Sequence, residues 1–349
     1  MAASFLPSIP LIQAPMAGVS TPELAAAVSN AGALGSIGIG AASPEQAQAM
    51  IRRTRELTDK PFNVNLFCHS PAQRNSAREA AWIDRLRPEF TRFAEDPPQS
   101  LNEIYRTFIK NADMLDVLLA ERPAIVSFHF GLPDAQALLA LREAGITTLA
   151  CATRVSEAEL IASIGIDAIV AQGVEAGGHR GMFDPQAEDE QLSTRELVKA
   201  IRRVTDVPVI AAGGMMDGED IARALDAGAV AAQLGTAFIL CPESAADNGY
   251  RTMLTSERAR TTALTSGISG RPARGIVNRL HITPDPASMA DYPVAYDLAK
   301  ALHRVASQQG CQEYAAHWAG SGVLRARAMP AARLVATLAH ELRAAQRPR

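Results

Sequence analysis

The sequence is poor in aromatic residues and has little excess charge of either sign. Aromatic side chains make up 5% of the 349 residues and hydrophobic residues 48%, so we expect a core of Ala, Val, Ile and Leu, as in an ordinary globular enzyme. The formal net charge of −3 provides no basic field to hold nucleic acid or an anionic membrane surface. We therefore expect a small-molecule partner.

Cysteine is also scarce, and the four cysteines form no metal-binding or redox pattern. There is no C-x-x-C sequence, and the one Cys beside a His, Cys68 next to His69, lacks zinc-ligand spacing. We expect reduced, buried cysteines and no metal site. The cysteines are Cys68, Cys151, Cys241 and Cys311.

Targeting and membrane-spanning segments are a further absence. Residues 1–20 lack a basic region and are interrupted by Pro7, Pro10 and Pro15, which argues against a signal peptide. No apolar run elsewhere reaches 18 residues without a breaker. The sequence thus predicts no membrane association and a cytoplasmic location, and it leaves open whether the protein is a monomer or a homodimer.

An alternation of short apolar runs and helical segments occupies roughly the first 240 residues. Each run is bounded by turn residues and is followed by a helical segment, so the strands are expected to be parallel. Eight such units predict a TIM (β/α)8 barrel, and an open, doubly wound α/β sheet is the alternative. The predicted strands are Leu11 to Ala14, Leu34 to Ile37, Phe62 to Phe67, Ala124 to Phe128, Ile146 to Ala150, Asp167 to Ala171, Pro208 to Ala211 and Ala229 to Leu234.

The remaining residues predict a smaller, mainly helical cap. The barrel is expected over residues 1–240, with a charged helical excursion at about 70–120. Residues 241–320 are expected to form the cap or substrate domain, which begins with a loop-containing stretch. Residues 321–349 contain an amphipathic helix that is expected to pack back on the barrel. Helix N-caps are predicted at Ser20, Ser43 and Ser193.

Glycine-rich and polar loops follow the predicted strands and would gather on one rim of a barrel. Gly177 and Gly178, Gly213 and Gly214, and Gly235 with Thr236 offer backbone N–H groups to a phosphate. The alternative is that these glycines only form tight turns. The polar side chains of the same rim are Gln13, Asn65, His129, Gln172 and His179.

The amides of this rim favour a planar ligand over a sugar phosphate. Gln172 and Asn65 can bond the alternating donors and acceptors of an isoalloxazine or pyrimidine edge, and a sugar phosphate needs neither. Glu175 is the one carboxylate in reach, and it is equally read as a salt-bridge partner of Arg180. A cofactor-free, sugar-phosphate-binding isomerase remains the alternative.

Five motifs carry a more specific signal. They are Gln13-Ala-Pro-Met-Ala-Gly18, His129-Phe-Gly131, Ala171-Gln-Gly-Val-Glu-Ala-Gly-Gly-His-Arg-Gly181, Ala212-Gly-Gly214 and Gln233-Leu-Gly-Thr236. Together they resemble the nitronate monooxygenases of the class I type, formerly called 2-nitropropane dioxygenases. The resemblance implies an FMN-dependent barrel with a smaller cap. It also implies oxidation of alkyl nitronates, such as propionate 3-nitronate, with dioxygen to carbonyl compounds and nitrite.

The resemblance further implies roles for individual residues. His179 would be the catalytic residue. Candidate substrate contacts are His129, Arg180, Tyr296 and Lys300. The alternative is a solvated side chain for Arg180 and an ordinary helix-surface position for Tyr296 and Lys300. The implied FMN contacts are Met16, Asn65, Gln172, Gly177, Gly178, Gly213, Gly214, Gln233, Leu234, Gly235 and Thr236.

The side chain of His179 suits this chemistry. An imidazole beside a flavin can abstract the α-proton of a neutral nitroalkane, or as imidazolium it can hold the nitronate, because its ordinary pKa lies near working pH. Two alternatives share the fold: an FMN-dependent NAD(P)H:quinone reductase and an enoyl-acyl-carrier-protein reductase. A non-catalytic flavin carrier is the third alternative.

Overall fold

A closed barrel of eight parallel strands forms the body of the computed structural model, which describes residues 5–282 and 288–347. Its strands are β1 (Leu11–Gln13), β2 (Gly35–Gly38), β3 (Phe62–Phe67), β4 (Ile125–His129), β5 (Thr147–Ala152), β6 (Ala168–Gln172), β8 (Val209–Ala212) and β9 (Ala231–Leu234). Neighbours around the barrel run β1, β9, β8, β6, β5, β4, β3 and β2. A parallel bridge between Ile12 and Leu34 joins the two ends. The predicted TIM barrel is confirmed, and the open sheet is wrong.

Helices follow most of the barrel strands and form its outer layer. They are α1 (Pro22–Asn30), α2 (Pro44–Leu57), α4 (Ala112–Glu121), α5 (Ala135–Glu143), α6 (Val155–Ser163), α7 (Thr194–Ile201), α8 (Gly218–Asp226) and the short α9 (Thr236–Ile239). Elsewhere lie α3 (Ser76–Thr91), α10 (Asn248–Leu254), α11 (Val294–Gln308), α12 (Ala331–Ala345) and the 3-10 turns Glu257–Arg260 and Val323–Arg325.

Local capping signals explain where several helices begin. Ser43 and Ser193 form the predicted caps, each in a capping box with the residue three positions later. The predicted cap at Ser20 is wrong, because Thr21 accepts the bond from the Leu24 amide. The Ser20 hydroxyl instead lies in the turn after β1, where it accepts a hydrogen bond from the Met16 amide.

Burial on both faces explains the apolar composition of the strands. Residues such as Ile12, Leu149 and Ile210 pack inside the barrel and are fully buried. Close packing of the outer layer also depends on glycine at one position. A Cβ on Gly35 of β2 would lie 1.9 Å from the carbonyl oxygen of Ala25 in α1, so only glycine allows this helix to approach the strand.

The helical excursion at 70–120 divides between the barrel and the cap. Helix α4 packs on α2 and α5 in the outer layer of the barrel, whereas α3 packs on α11. The α3–α11 contact is an apolar cluster that includes Trp82, Leu86 and Phe90 from α3 and Leu298 and Leu302 from α11. The cap is thus built from two segments that are far apart in the sequence.

A small sheet joins the cap to the barrel rim. It contains β10 (Thr262–Thr265), β11 (Ala273–Ile276) and β7 (Gly178–His179), in the order β10, β11, β7. The pairing is antiparallel, with Ala273 opposite His179. The sequence predicted a loop-containing stretch here, because these strands have two to four residues and are rich in Thr, Arg and Gly without an apolar alternation.

The C-terminal helix α12 packs on α8 and α1, as its amphipathic pattern predicts. Gly218, at the start of α8, makes this contact possible, since a Cβ there would lie 2.2 Å from the Leu342 amide nitrogen. Across residues 5–282 and 288–347, no helix combines the length and the apolar character that spanning a membrane requires.

Candidate active site

A cavity of about 210 Å³ lies between the carboxyl ends of the barrel strands and the cap. The end of β3 and the loops after β1, β6, β8 and β9 contribute a polar and glycine-rich part of its wall. The cap segments contribute aromatic rings. These rings belong to Tyr105, Tyr250, Tyr292, Tyr296 and Trp318.

Most of the residues singled out in the sequence meet in this cavity, because the strand ends of a barrel converge on one rim. His129, His179 and Tyr296 line it, whereas Arg180 and Lys300 do not. The predicted cofactor contacts that line the cavity are Met16, Asn65, Gln172, Gly177, Gly178, Gly213, Gly214, Gln233, Leu234, Gly235 and Thr236.

The glycine-rich loops present a set of hydrogen-bond donors. Within the described residues, the backbone N–H groups of Gly214, Gly235 and Thr236 make no hydrogen bond. The Thr236 hydroxyl accepts a bond of 3.0 Å from the Gly320 amide, which leaves its own hydrogen available. Converging amides of this kind suit an anionic group such as phosphate.

Close packing behind this donor set requires glycine. A Cβ on Gly177 would lie 2.5 Å from the Gly320 amide nitrogen, and Gly214 has a φ of +69°, which side chains rarely adopt. The loops after β6 and β8 therefore approach residues 319–321 more closely than they could with a larger residue at these two positions.

Side-chain amides supply further polar groups. Asn65 donates through Nδ2 to the carbonyl and hydroxyl oxygens of Ser127, so its Oδ1 is left as an acceptor at the cavity. The side chain of Gln233 makes no hydrogen bond within the part of the chain that the structure describes. Gln172 is partly engaged, because its Nε2 donates to the His179 carbonyl at 3.0 Å and its Oε1 accepts from the Gly181 amide at 2.8 Å. The second Nε2 hydrogen has no partner among the described residues.

Strand β7 carries His179 into the cavity, where aromatic rings surround the imidazole. Its Nε2 lies 2.8 Å from the hydroxyl oxygen of Ser269, and its Nδ1 makes no hydrogen bond to any described residue. The second histidine, His129, donates through Nε2 to the His179 carbonyl at 3.2 Å. Ring centroids lie 5.1 to 6.0 Å from that of His179 for Trp318, Tyr292, Phe130 and Tyr296.

Burial makes His179 a neutral group. Desolvation is the largest cause that lowers the pKa of its imidazole to about 3, and His129, Arg271 and His69 contribute in the same direction. Burial likewise lowers the pKa of His129 to about 4. The expectation of a pKa near working pH rested on residue type alone, and the lowered pKa differs from it because enclosure and the charge of Arg271 disfavour the imidazolium.

Arg180 has a structural role, and the interpretation as a solvated side chain is wrong. Its side chain is 0% exposed, and its guanidinium bonds Asp189 through Nε at 2.7 Å and through a second nitrogen at 3.0 Å. The remaining terminal nitrogen donates to the carbonyl oxygens of Gln172 and Gly173. Its guanidinium nitrogens are engaged in these contacts and Arg180 does not line the cavity, so it offers no group to a bound anion.

Glu175 is not the salt-bridge partner of Arg180. Its carboxylate accepts hydrogen bonds from the amide and the hydroxyl of Thr194, at 2.9 and 3.0 Å. Since Thr194 is the first residue of α7, these bonds tie the loop after β6 to the next helix.

Lys300 lies outside the main cavity. It is exposed and lines a second cavity of about 240 Å³, whose wall it shares with Tyr296 and Tyr314. Its ammonium nitrogen is 5.1 Å from the ring centroids of both Tyr105 and Tyr296. Lys300 therefore contacts the aromatic wall from its far side.

Sequence reasoning missed Ser269, Arg271 and Tyr105. Ser269 and Arg271 lie on the turn between β10 and β11, and Arg271 is only 3% exposed, with its guanidinium 4.5 Å over the Phe130 ring. A serine and an arginine flanking Gly270 were the only local sign of this turn. No group of three or more His, Cys, Asp or Glu residues within 5–282 and 288–347 is placed to hold a metal ion.

The chain is similar to known proteins over nearly its whole length. The model of the nitronate monooxygenase family matches residues 2–341. A nitronate monooxygenase from Paraburkholderia phytofirmans is 53% identical over 337 residues, which cover 96% of this chain and 92% of that protein. A nitronate monooxygenase from Pseudomonas aeruginosa is 52% identical, with 96% of each chain covered.

Solved structures show the same relationship in three dimensions. A nitroalkane oxidase from Streptomyces ansochromogenes matches with a TM-score of 0.91 and 40% identity, covering 98% of this chain and 97% of its own. FabK from Thermotoga maritima matches with a TM-score of 0.73 and 27% identity, covering 97% and 94%. The chain therefore belongs to the nitronate monooxygenase family.

Proposed function

We propose that this protein is an FMN-dependent nitronate monooxygenase, which oxidises alkyl nitronates such as propionate 3-nitronate with dioxygen to carbonyl compounds and nitrite. The observation that carries the proposal is the position of the His179 imidazole, whose Nδ1 has no partner among the described residues, in a cavity that also presents phosphate-type donors and side-chain amides. Family membership and the names of the relatives support the same oxidoreductase activity.

The residues present fit FMN, which combines a phosphate with a planar ring edge. We propose that the N–H groups of Gly214, Gly235 and Thr236 hold the phosphate, and that Asn65 and Gln233 bond the ring edge. When bound, FMN supplies the acceptor for the electrons that leave the substrate. Further proposed contacts are Met16, Gln172, Gly177, Gly178, Gly213 and Leu234.

His179 has a defined task when the substrate is a neutral nitroalkane. The α-carbon loses its proton to Nδ1, and the electron pair of the broken C–H bond moves into the nitro group, which forms the nitronate. A preformed nitronate already carries this negative charge and needs no base. The alternative in which an imidazolium holds the nitronate is disfavoured by the lowered pKa of His179.

Dioxygen uptake tests the proposed activity directly. The purified protein is expected to consume dioxygen and release nitrite with propionate 3-nitronate or ethyl nitronate, and to consume none with NADH plus a quinone. A dioxygen electrode and a nitrite assay measure both reactions, and the absorption spectrum of the protein reports bound flavin. Oxidation of NADH, with no dioxygen uptake in the presence of a nitronate, would indicate that the protein is a reductase. A colourless protein would favour the cofactor-free isomerase.

The pH dependence of turnover on neutral nitroethane follows from the pKa of His179. A base acts in its unprotonated form, so activity is lost as the pH falls through its pKa. Since that pKa is lowered to about 3, kcat/KM is expected to show no acid limb near 6.5, the ordinary value for histidine. Steady-state kinetics from about pH 8 down to about pH 4, with circular dichroism to verify folding, measure this. A midpoint near 6.5 would contradict the buried, neutral state.

A further inference from the structure

The hydrogen bond between His179 and Ser269 connects the barrel rim to the cap. Ser269 is 0% exposed and lies on the turn between β10 and β11, 90 residues from His179 in the sequence. Its hydroxyl oxygen is 2.8 Å from Nε2 of the imidazole. A neutral imidazole has one protonated and one bare nitrogen, so the direction of this bond determines which nitrogen can act as a base.

The neighbours of Ser269 indicate which oxygen accepts the hydrogen bond from its hydroxyl group. The hydroxyl lies 3.2 Å from the carbonyl oxygen of Arg271 and accepts a bond from the Arg271 amide. Among the described residues, no other group donates to that carbonyl, and Arg271 is 3% exposed. Buried carbonyl groups are nearly always paired, so the Ser269 hydroxyl donates its hydrogen bond to the Arg271 carbonyl oxygen.

We infer that Ser269 is a positioning residue that selects the Nε2–H tautomer of His179 and thereby leaves Nδ1 as the bare, proton-accepting nitrogen. With its own hydrogen committed to Arg271, the Ser269 oxygen accepts from Nε2–H. Nδ1, which has no partner among the described residues, then carries the lone pair. The inference rests on the proposed role of His179 as the base for neutral nitroalkanes.

The same turn also favours the neutral form of the ring before a substrate gives up its proton. The guanidinium of Arg271 stacks on one aromatic wall residue, Phe130, whose ring centroid is 5.6 Å from that of His179. Its positive charge is among the causes that lower the pKa of His179. This charge helps to keep Nδ1 unprotonated before the reaction, whereas the hydrogen bond at Nε2 determines which nitrogen holds the first hydrogen. That selection is left to Ser269.

Replacing Ser269 by Ala removes the acceptor for Nε2–H. The ring can then hold its hydrogen on Nδ1, where it no longer accepts the α-proton. Loss of a partner that orients a functional histidine typically reduces activity on the order of 10- to 100-fold. We expect Ser269→Ala to lower kcat/KM for nitroethane by that factor and to change turnover of preformed ethyl nitronate much less.

Two further variants separate this role from a structural one. Ser269→Thr keeps the hydroxyl and is expected to restore most of the activity on nitroethane. Ser266→Ala is the matched control, because Ser266 is on the same turn and its hydroxyl makes no hydrogen bond to a described residue. Turnover of nitroethane and of ethyl nitronate by this variant is expected to stay at the wild-type level. Equal losses on the two substrates in Ser269→Ala would overturn the inference.

Nitrogen NMR of the wild-type holoprotein tests the tautomer without any variant of Ser269. After labelling of histidine with 15N, the His179 signals are identified by their absence in His179→Asn. We expect a protonated Nε2 and a bare Nδ1, and a protonated Nδ1 would overturn the inference. This readout stays valid if Ser269→Ala fails to fold. It also separates the two proposals, because absence of nitronate turnover in the wild type refutes the proposed function alone.

Discussion

Replacing His179 by Asn is expected to lower kcat/KM for neutral nitroethane by roughly 10²- to 10⁴-fold, the usual contribution of a general base. Turnover of preformed ethyl nitronate should fall much less, because that substrate has already lost its α-proton. Bound FMN is expected to be retained, since none of the proposed phosphate donors is altered. Steady-state kinetics with both substrates, together with the flavin absorption of each preparation, measure these outcomes.

His340→Asn is the matched control for this variant. His340 is exposed on α12, remote from the cavity lining, and both of its rates are expected to match those of the wild type. Equal retention of both activities in His179→Asn would refute the role as base. Unaltered turnover would revive a flavin carrier in which the histidine takes no part in catalysis.

Replacing Asp189 by Ala is expected to destabilise the protein by about 3–5 kcal/mol, the range for breaking a buried ion pair on one side. The side chain of Arg180 is 0% exposed and that of Asp189 is 13% exposed, so the variant leaves a buried guanidinium without its carboxylate. The free energy of unfolding in urea measures the loss. Because Arg180 also holds the carbonyls of Gln172 and Gly173, we expect activity to fall as well.

An exposed ion pair provides the comparison. Glu219 and Arg223 of α8 are 69% and 53% exposed, so Glu219→Ala should change the free energy of unfolding by less than about 1 kcal/mol. If Asp189→Ala lost no more stability than this control, the pair would contribute little, and the loop after β6 would have to be held by its backbone bonds and by Glu175.

Local patterns in the sequence were sufficient for the barrel. Apolar runs between turn residues mark strands buried on both faces, and serine caps such as Ser43 and Ser193 mark helix starts. Because the topology brings all strand ends to one rim, residues as distant as Met16 and Thr236 could be placed in one cavity from the order of elements alone.

The remaining features depend on partners that no local pattern reveals. Arg180 reads as a surface residue until Asp189 folds onto it, and the pairing of β7 with β11 joins segments more than 90 residues apart. The protonation of His179 is set by enclosure and by Arg271, neither of which is visible in residue type. Sequence reasoning therefore found which residues meet in the cavity but not the charge state of the central one.

The pairing of β7 with β11 also couples the position of the His179 imidazole to the cap. His179 sits in the sheet of the cap, opposite Ala273, while its chain neighbours belong to the barrel rim. If the cap moved away from the barrel rim, the hydrogen bonds between β7 and β11 would have to break, or the imidazole would move with the cap. The position of His179 therefore depends on the cap as much as on the barrel.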